Sequence, residues 1–341
     1  LSCSTLTATG LAAYFDPQGP GAALAVLGPD GQSRIECRGL ADLETRCPIT
    51  PETLFDLASA SKPFTALATL RLVDAGCLDL DAAIVDYLPA LSPNPTARPI
   101  RVRDLLQHSS DLPDYLASGL NTPPEERRLT FLHAQLEAWC RNARPGQRHE
   151  YANTNYVVLA LIIEAVTGKR WAQHLSETLI EPLGLRNTFA GGPPRGQVLA
   201  RGIHNFGHGL GRFHSGESIA LDTVGDGGVY SSLNDMIRWQ AALWRGELLE
   251  PGPLAWMLEP GRLDDGERFD YGLGMQIESG KDGCIWQGHG GSWTDSTVMF
   301  GRYLPAQISV IILSNEFMAP VERMSQCLWQ NLVASAASEE G

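Results

Sequence analysis

The stretch Leu57 to Ala66, L-A-S-A-S-K-P-F-T-A, sets a serine and a lysine three positions apart, Ser59 and Lys62, at the head of a nearly unbroken apolar run. A helix beginning near Ala60 places Ser59 at its N-terminal edge and brings Lys62 one turn later onto the same face. A serine hydroxyl is a weak nucleophile at neutral pH and needs an adjacent acceptor for its proton, so the spacing has the form of a nucleophile with its own base. Pro63 is compatible with the helix, because the first-turn N–H groups have no intrahelical partner. Those free N–H groups also favour negative charge developing beside Ser59. Taken alone, the tetrapeptide equally describes a helix start followed by a solvated lysine.

Two further segments change the reading. Tyr151-Ala152-Asn153, within P-G-Q-R-H-E-Y-A-N-T-N-Y, lies 92 residues beyond Ser59, and His289-Gly290-Gly291, within Q-G-H-G-G-S-W, lies 138 residues beyond Tyr151. In this order and spacing the chain resembles the penicillin-recognising serine hydrolases: class C β-lactamases, D-alanyl-D-alanine carboxypeptidases, D-aminopeptidases and β-lactamase-fold esterases. Their three motifs are S-x-x-K, Y-x-N and K-T-G or H-x-G. The segments Leu105 to Ser110 (L-L-Q-H-S-S), Glu181 to Leu185 (E-P-L-G-L) and Gly225 to Ser232 (G-D-G-G-V-Y-S-S) extend the resemblance over most of the chain.

Composition agrees with a folded enzyme. With 341 residues, 43% hydrophobic and 19% charged, the chain can bury a large core and is not disordered throughout. A formal charge of −13 disfavours nucleic acid or an anionic membrane surface as a partner, since both select a basic footprint. No stretch approaches the roughly 20 apolar residues of a membrane span, so the chain reads as soluble. The first residue is Leu1, which leaves a removed or trimmed leader open. Seven cysteines are scattered without a C-x-x-C pair. The odd count leaves at least one thiol unpaired and tilts localisation towards a reducing compartment, with the cytoplasm and an exported state both open.

The pattern along the chain predicts an α+β fold. Ala22 to Leu27 and Ser33 to Gly39 read as a hairpin, and Phe269 to Ile277, Gly283 to Gln287, Ser296 to Tyr303 and Gln307 to Leu313 as successive strands. Pro320 opens a helical stripe through Val321, Met324, Leu328 and Leu332. The two chain ends, residues 1–65 and 268–341, are therefore expected to share one antiparallel sheet flanked by helices. Residues 66–267, richer in helical pattern as in Tyr156 to Thr167, form an inserted, mostly helical lobe, with the active site between lobes.

The resemblance assigns roles residue by residue. Ser59 is the nucleophile. Lys62 and Tyr151 together are the base; an unperturbed lysine (about 10.4) and tyrosine (about 10) are both protonated at neutrality, and the residues leave open which accepts the proton. Asn153 orients Lys62 and contacts the substrate's acyl side. The oxyanion hole combines the backbone N–H groups of Ser59 and Ser292, and Gly290 and Gly291 let substrate approach the strand, with His289 expected to face the substrate beside them.

Departures from the family pattern bear on the substrate. His289 stands where many relatives have a lysine, and no Arg or Lys follows until Arg302, so no clamp for a free carboxylate is visible. Asp295 occupies a position that is often glycine, where a carboxylate would receive a substrate ammonium group. Asp111 likewise replaces a glycine and reads as a surface carboxylate. The trio His204, His208 and His214, followed by Glu217 and Asp222, fits no standard ligand spacing; no metal and no cofactor are expected. The expected partner is a small ester, amide or short peptide, cleaved through a Ser59 acyl-enzyme by an esterase or a D-amino-acid amidase or peptidase. A β-lactamase, a D,D-carboxypeptidase, an acyltransferase and a penicillin receptor acylated without turnover are the alternatives.

Overall fold

The computed structural model describes residues 10–29, 31–119, 129–192, 197–205, 210–212, 224–280, 283–293 and 296–339. Along the chain, β1 (Ala22–Leu27) and β2 (Ser33–Arg38) precede a short β3 (Phe55–Asp56), a 3₁₀ turn (Ala58–Ser61) and α1 (Lys62–Asp74). The middle contains α2 (Val102–Leu106), α3 (Asn153–Thr167), β4 (Thr188–Ala190), β5 (Val229–Ser231) and α4 (Leu233–Trp244). The last third supplies β6 (Gln276–Ser279), β7 (Ile285–Trp293), β8 (Ser296–Leu304), β9 (Ile308–Ser314) and α5 (Val321–Glu339).

Six strands form one antiparallel sheet in the order β6-β7-β8-β9-β1-β2. β1 lies between its hairpin partner and β9, with Ala25 opposite Ile311, so the two ends of the chain close a single sheet. All residues of β1 and β9 are buried, which is the mark of strands covered on both faces. The period of two sorts them. Leu24, Val26, Val310 and Ile312 pack with Val321, Met324 and Leu328 of α5. Ala23, Ala25, Ile311 and Leu313 join the large core under the helices. There α4 is seated on the sheet: Trp239 stacks on Phe64 of α1 with centroids 4.5 Å apart and meets Phe300 of β8 edge to face. Burying an aromatic such as Phe64 stabilises by about 2–3 kcal/mol, so this contact is a principal join between helices and sheet.

A small sheet in the order β3-β5-β4 pairs Phe55–Asp56 with a strand from the middle of the chain. This fixes the turn that carries Ser59. No helix among the described residues is long and apolar enough to cross a membrane.

Two local expectations are corrected. The strand expected over Phe269 to Ile277 is two short strands, Arg268–Phe269 and β6, because Gly272 and Gly274 turn the chain between them and Gly272 N–H bonds back to Met275 O at 2.8 Å. The helix expected from Ala60 begins earlier, as a 3₁₀ turn, and becomes α-helical only at Lys62.

Candidate active site

Ser59 is the second residue of the 3₁₀ turn. Ala58 before it has φ of 47°, a left-handed conformation rare for a residue with a Cβ, and Asp56 Oδ1 holds it by accepting the Ala58 N–H at 2.8 Å. Burial pushes the Asp56 carboxyl up to about 6. Ser61, the neighbouring hydroxyl, is fully buried and accepts the Val229 N–H at 3.1 Å, which ties the turn to β5. Ser59 is half-buried and keeps its hydroxyl for Lys62.

Lys62 is 0% exposed. Its Nζ donates to Ser59 Oγ at 3.0 Å, to Asn153 Oδ1 at 2.7 Å and to the main-chain oxygen of Asp226 at 3.0 Å, so each ammonium hydrogen has an acceptor. Tyr151 meets the same ammonium with its ring face, the centroid 4.9 Å from Nζ. Tyr151 is 36% exposed, and its hydroxyl has no hydrogen-bond partner among the described residues.

Asn153 opens α3. Its Nδ2 and its backbone N–H both donate to Asp114 Oδ2, at 2.9 and 3.2 Å. With the NH₂ end taken, the carbonyl end of the amide is the one that meets Lys62. Asp226 is delivered by the G-D-G-G segment: Gly225, with φ of 101°, lies so close to α3 that a Cβ would sit 2.4 Å from the Tyr156 carbonyl. The Asp226 carboxylate accepts from the Tyr115 hydroxyl at 2.7 Å. Burial raises its carboxyl above the ordinary range, against the pull of the Lys62 charge.

The strand β7 lies directly against the turn that carries Ser59. A Cβ on Gly291 would fall 2.3 Å from Leu57 O and 3.0 Å from Ser59 N, a clash that only glycine avoids. Gly290 has ordinary room for a Cβ, so packing demands only one of the two glycines. Ser292 follows Gly291 on the same strand, its hydroxyl 3.4 Å from that of Thr297.

His289 is brought to this strand but turned inward, 1% exposed. Its Nδ1 lies 2.6 Å from Gly290 O; a carbonyl only accepts, so Nδ1 carries the proton. Nε2 then accepts from the Tyr271 hydroxyl at 2.9 Å. Both nitrogens are engaged within the protein, leaving the backbone of this segment as the part that faces Ser59. Burial first, then the Lys62 charge, depress the imidazole to about 3.

A depressed histidine stabilises the fold above its unfolded value of 6.5, and that contribution is lost as pH falls towards 3. The stability advantage of the wild type over His289→Gln should therefore shrink by ~4 kcal/mol between about pH 7 and 3.5, as the buried ring is forced to charge. Urea unfolding of both proteins at the two pH values checks this; an unchanged difference would show that the ring's charge state does not matter to stability.

Four residues beyond the sequence assignments complete the site. Asp114, Tyr115 and Asp226 position Asn153 and Lys62 as described. The fourth, His108, is fully buried, and its Nδ1 accepts the Ala152 N–H at 3.2 Å, between Tyr151 and Asn153. Asn155 Nδ2 lies 3.0 Å from the same nitrogen. Burial, reinforced by Lys62, holds His108 well below 6.5, in the neutral form that this acceptor role requires. His108 and Asp226 stood inside segments quoted above for their resemblance; Asp114 and Tyr115 had no spacing signal.

Asp111 forms an ion pair with Arg148 at 2.9 Å and accepts the Arg144 N–H, and its φ of 64° explains a preference for glycine at this position. Asp295 lies outside the described residues, as do His208, His214, Glu217 and Asp222. Among the described residues no group of His, Cys, Asp or Glu is arranged to hold a metal ion.

The profile of the β-lactamase family matches residues 9–326. The chain belongs to the β-lactamase family. Within it, a D-aminopeptidase of Brucella anthropi is 32% identical over 290 residues, covering 81% of this chain and 52% of that protein. A penicillin-binding protein of Bacillus subtilis is 28% identical over 298 residues, covering 82% and 64%. The chain thus spans roughly half to two thirds of the length of these β-lactamase-family relatives. The D-amino acid amidase of Ochrobactrum anthropi SV3, solved with L-phenylalanine amide, shares the fold at 24% identity, with a TM-score of 0.77 over 92% of this chain and 94% of that one.

Proposed function

We propose that the protein is a serine hydrolase that cleaves an ester or amide through a Ser59 acyl-enzyme. The observation that carries this is the 3.0 Å hydrogen bond from the buried Lys62 Nζ to Ser59 Oγ. In the proposed reaction Ser59 Oγ attacks the substrate carbonyl and its proton passes to the Lys62–Tyr151 pair. The oxyanion is held by the N–H groups of Ser59 and Ser292, the proton is returned to the leaving group, and water then attacks the acyl-enzyme. Asn153, its amide fixed by Asp114, orients Lys62 and offers the acyl side a polar contact.

The charge arrangement supports an uncharged or ammonium-bearing acyl donor, as in an esterase or a D-amino-acid amidase or peptidase. β7 holds no cation, its histidine being neutral at pH 7, while the carboxylates of Asp114 and Asp226 lie one residue contact from Lys62. The names of the D-aminopeptidase and D-amino acid amidase relatives point the same way.

The test is a panel of p-nitrophenyl esters, D- and L-aminoacyl p-nitroanilides and benzylpenicillin. Without a cationic anchor worth about 1.5–3 kcal/mol, kcat/KM for benzylpenicillin should fall about 10–100-fold or more below the best ester or aminoacyl amide. Efficient penicillin hydrolysis would replace this reading with a β-lactamase. One stoichiometric acylation without turnover would replace it with a receptor.

A further inference from the structure

On the face of the sheet opposite Ser59, between the β6–β7 edge and α5, lies a cavity of about 360 Å³. Its size falls within the roughly 300–1,000 Å³ of small-molecule sites. Its walls combine two features that rarely share a pocket by packing alone. Tyr303 and Trp329 stack with centroids 4.8 Å apart and planes within 3°, and Trp286 and Met299 extend this apolar surface. Glu278 of β6 and Glu322 of α5 stand over it, and neither carboxylate has an ion-pair or hydrogen-bond partner among the described residues.

Partial burial, then the charges of Glu322 and Asp270, raise the Glu278 carboxyl above its ordinary range, so the two carboxylates concentrate negative potential at the rim. Trp286 is 5% exposed, and its indole nitrogen is buried against Gly301, so it adds apolar ring surface to the wall. The pocket therefore offers aromatic surface and two carboxylates without partners among the described residues. Aromatic faces attract cations through their quadrupole, and flanking carboxylates add direct attraction. An anion would be repelled, and a neutral apolar body would leave the charges unpaired.

We propose that this cavity is a binding site for a small organic cation, an ammonium ion carrying an apolar body, separate from the cleft around Ser59. The ammonium would meet the carboxylates, and its alkyl groups the Trp329–Tyr303 stack. The site does not depend on the hydrolase reading, because it lies across the sheet from Ser59 and shares no residue with the cleft.

Choline is the probe, with its neutral carbon isostere 3,3-dimethylbutan-1-ol as control. Ser59 is first blocked with a fluorophosphonate, or replaced in Ser59→Ala if it does not label, so that cleft binding cannot contribute. Saturation-transfer NMR and calorimetry should show saturable, low-millimolar choline binding. Affinity for the isostere, and that of Glu278→Gln/Glu322→Gln for choline, should each be about 10-fold or more weaker, on the scale of one lost charge contact. Both substitutions are on the exposed rim, and Trp329→Ala gives a second, aromatic arm of the test. Absence of saturable binding, equal binding of the isostere, or unchanged affinity in both variants would overturn the proposal.

Discussion

Ser59→Ala is expected to lose at least about 10³-fold in turnover, the scale on which removal of a nucleophile is felt, while unfolding at the wild-type midpoint. Stability should survive because Ser59 is half-buried and, among the described residues, accepts only from Lys62, whose other two acceptors remain. A fluorophosphonate should add one adduct to the wild type, on Ser59, and none to the variant. The structure sharpens the comparison with Ser61, which is buried and occupied by the Val229 N–H. An adduct mapped to Ser61 or Ser292 would falsify the assignment of the nucleophile.

The second large effect concerns the base. Lys62→Ala and Tyr151→Phe should each slow acylation by about 10²–10⁴-fold, the range for a positioned acid–base group, and the double variant should be little worse than the weaker single. The expectation rests on contact: Lys62 touches both Ser59 Oγ and the Tyr151 ring face, so the two side chains share one local field. Lys62→Ala should also cost about 1–3 kcal/mol of stability for the buried Asp226 oxygen it strands, and less for the part-buried Asn153 amide. Tyr151→Phe, which removes an unpartnered hydroxyl, should leave stability nearly unchanged. Multiplicative losses in acylation would mean that the residues act independently.

Much of this molecule was legible in one dimension. The apolar runs Ala22 to Leu27 and Ile308 to Leu313 marked the two strands that meet at the centre of the sheet, because burial on both faces is written into adjacent residues. The failed strand over Phe269 to Ile277 shows the limit: its apolar residues suggested extension, but Gly272 and Gly274 turn the chain and deliver Tyr271 to His289. His289 itself was read as facing substrate, and the structure spends both of its nitrogens internally.

The sequence by itself determined which residues can carry chemistry. The three-residue spacing of Ser59 and Lys62 is a property of local backbone geometry, and the order of the three motifs placed the chain beside a family whose profile it matches. Only the tertiary structure decided how those residues are held. Asp114 turns the Asn153 amide, His108 braces the Tyr151-Ala152-Asn153 backbone, and the third hydrogen of Lys62 goes to a main-chain oxygen 164 residues away. These choices depend on which segments meet, and each donor or acceptor can be used only a fixed number of times. A linear sequence shows the inventory of hydrogen-bonding groups; the fold assigns their partners, because burial makes every unassigned one costly.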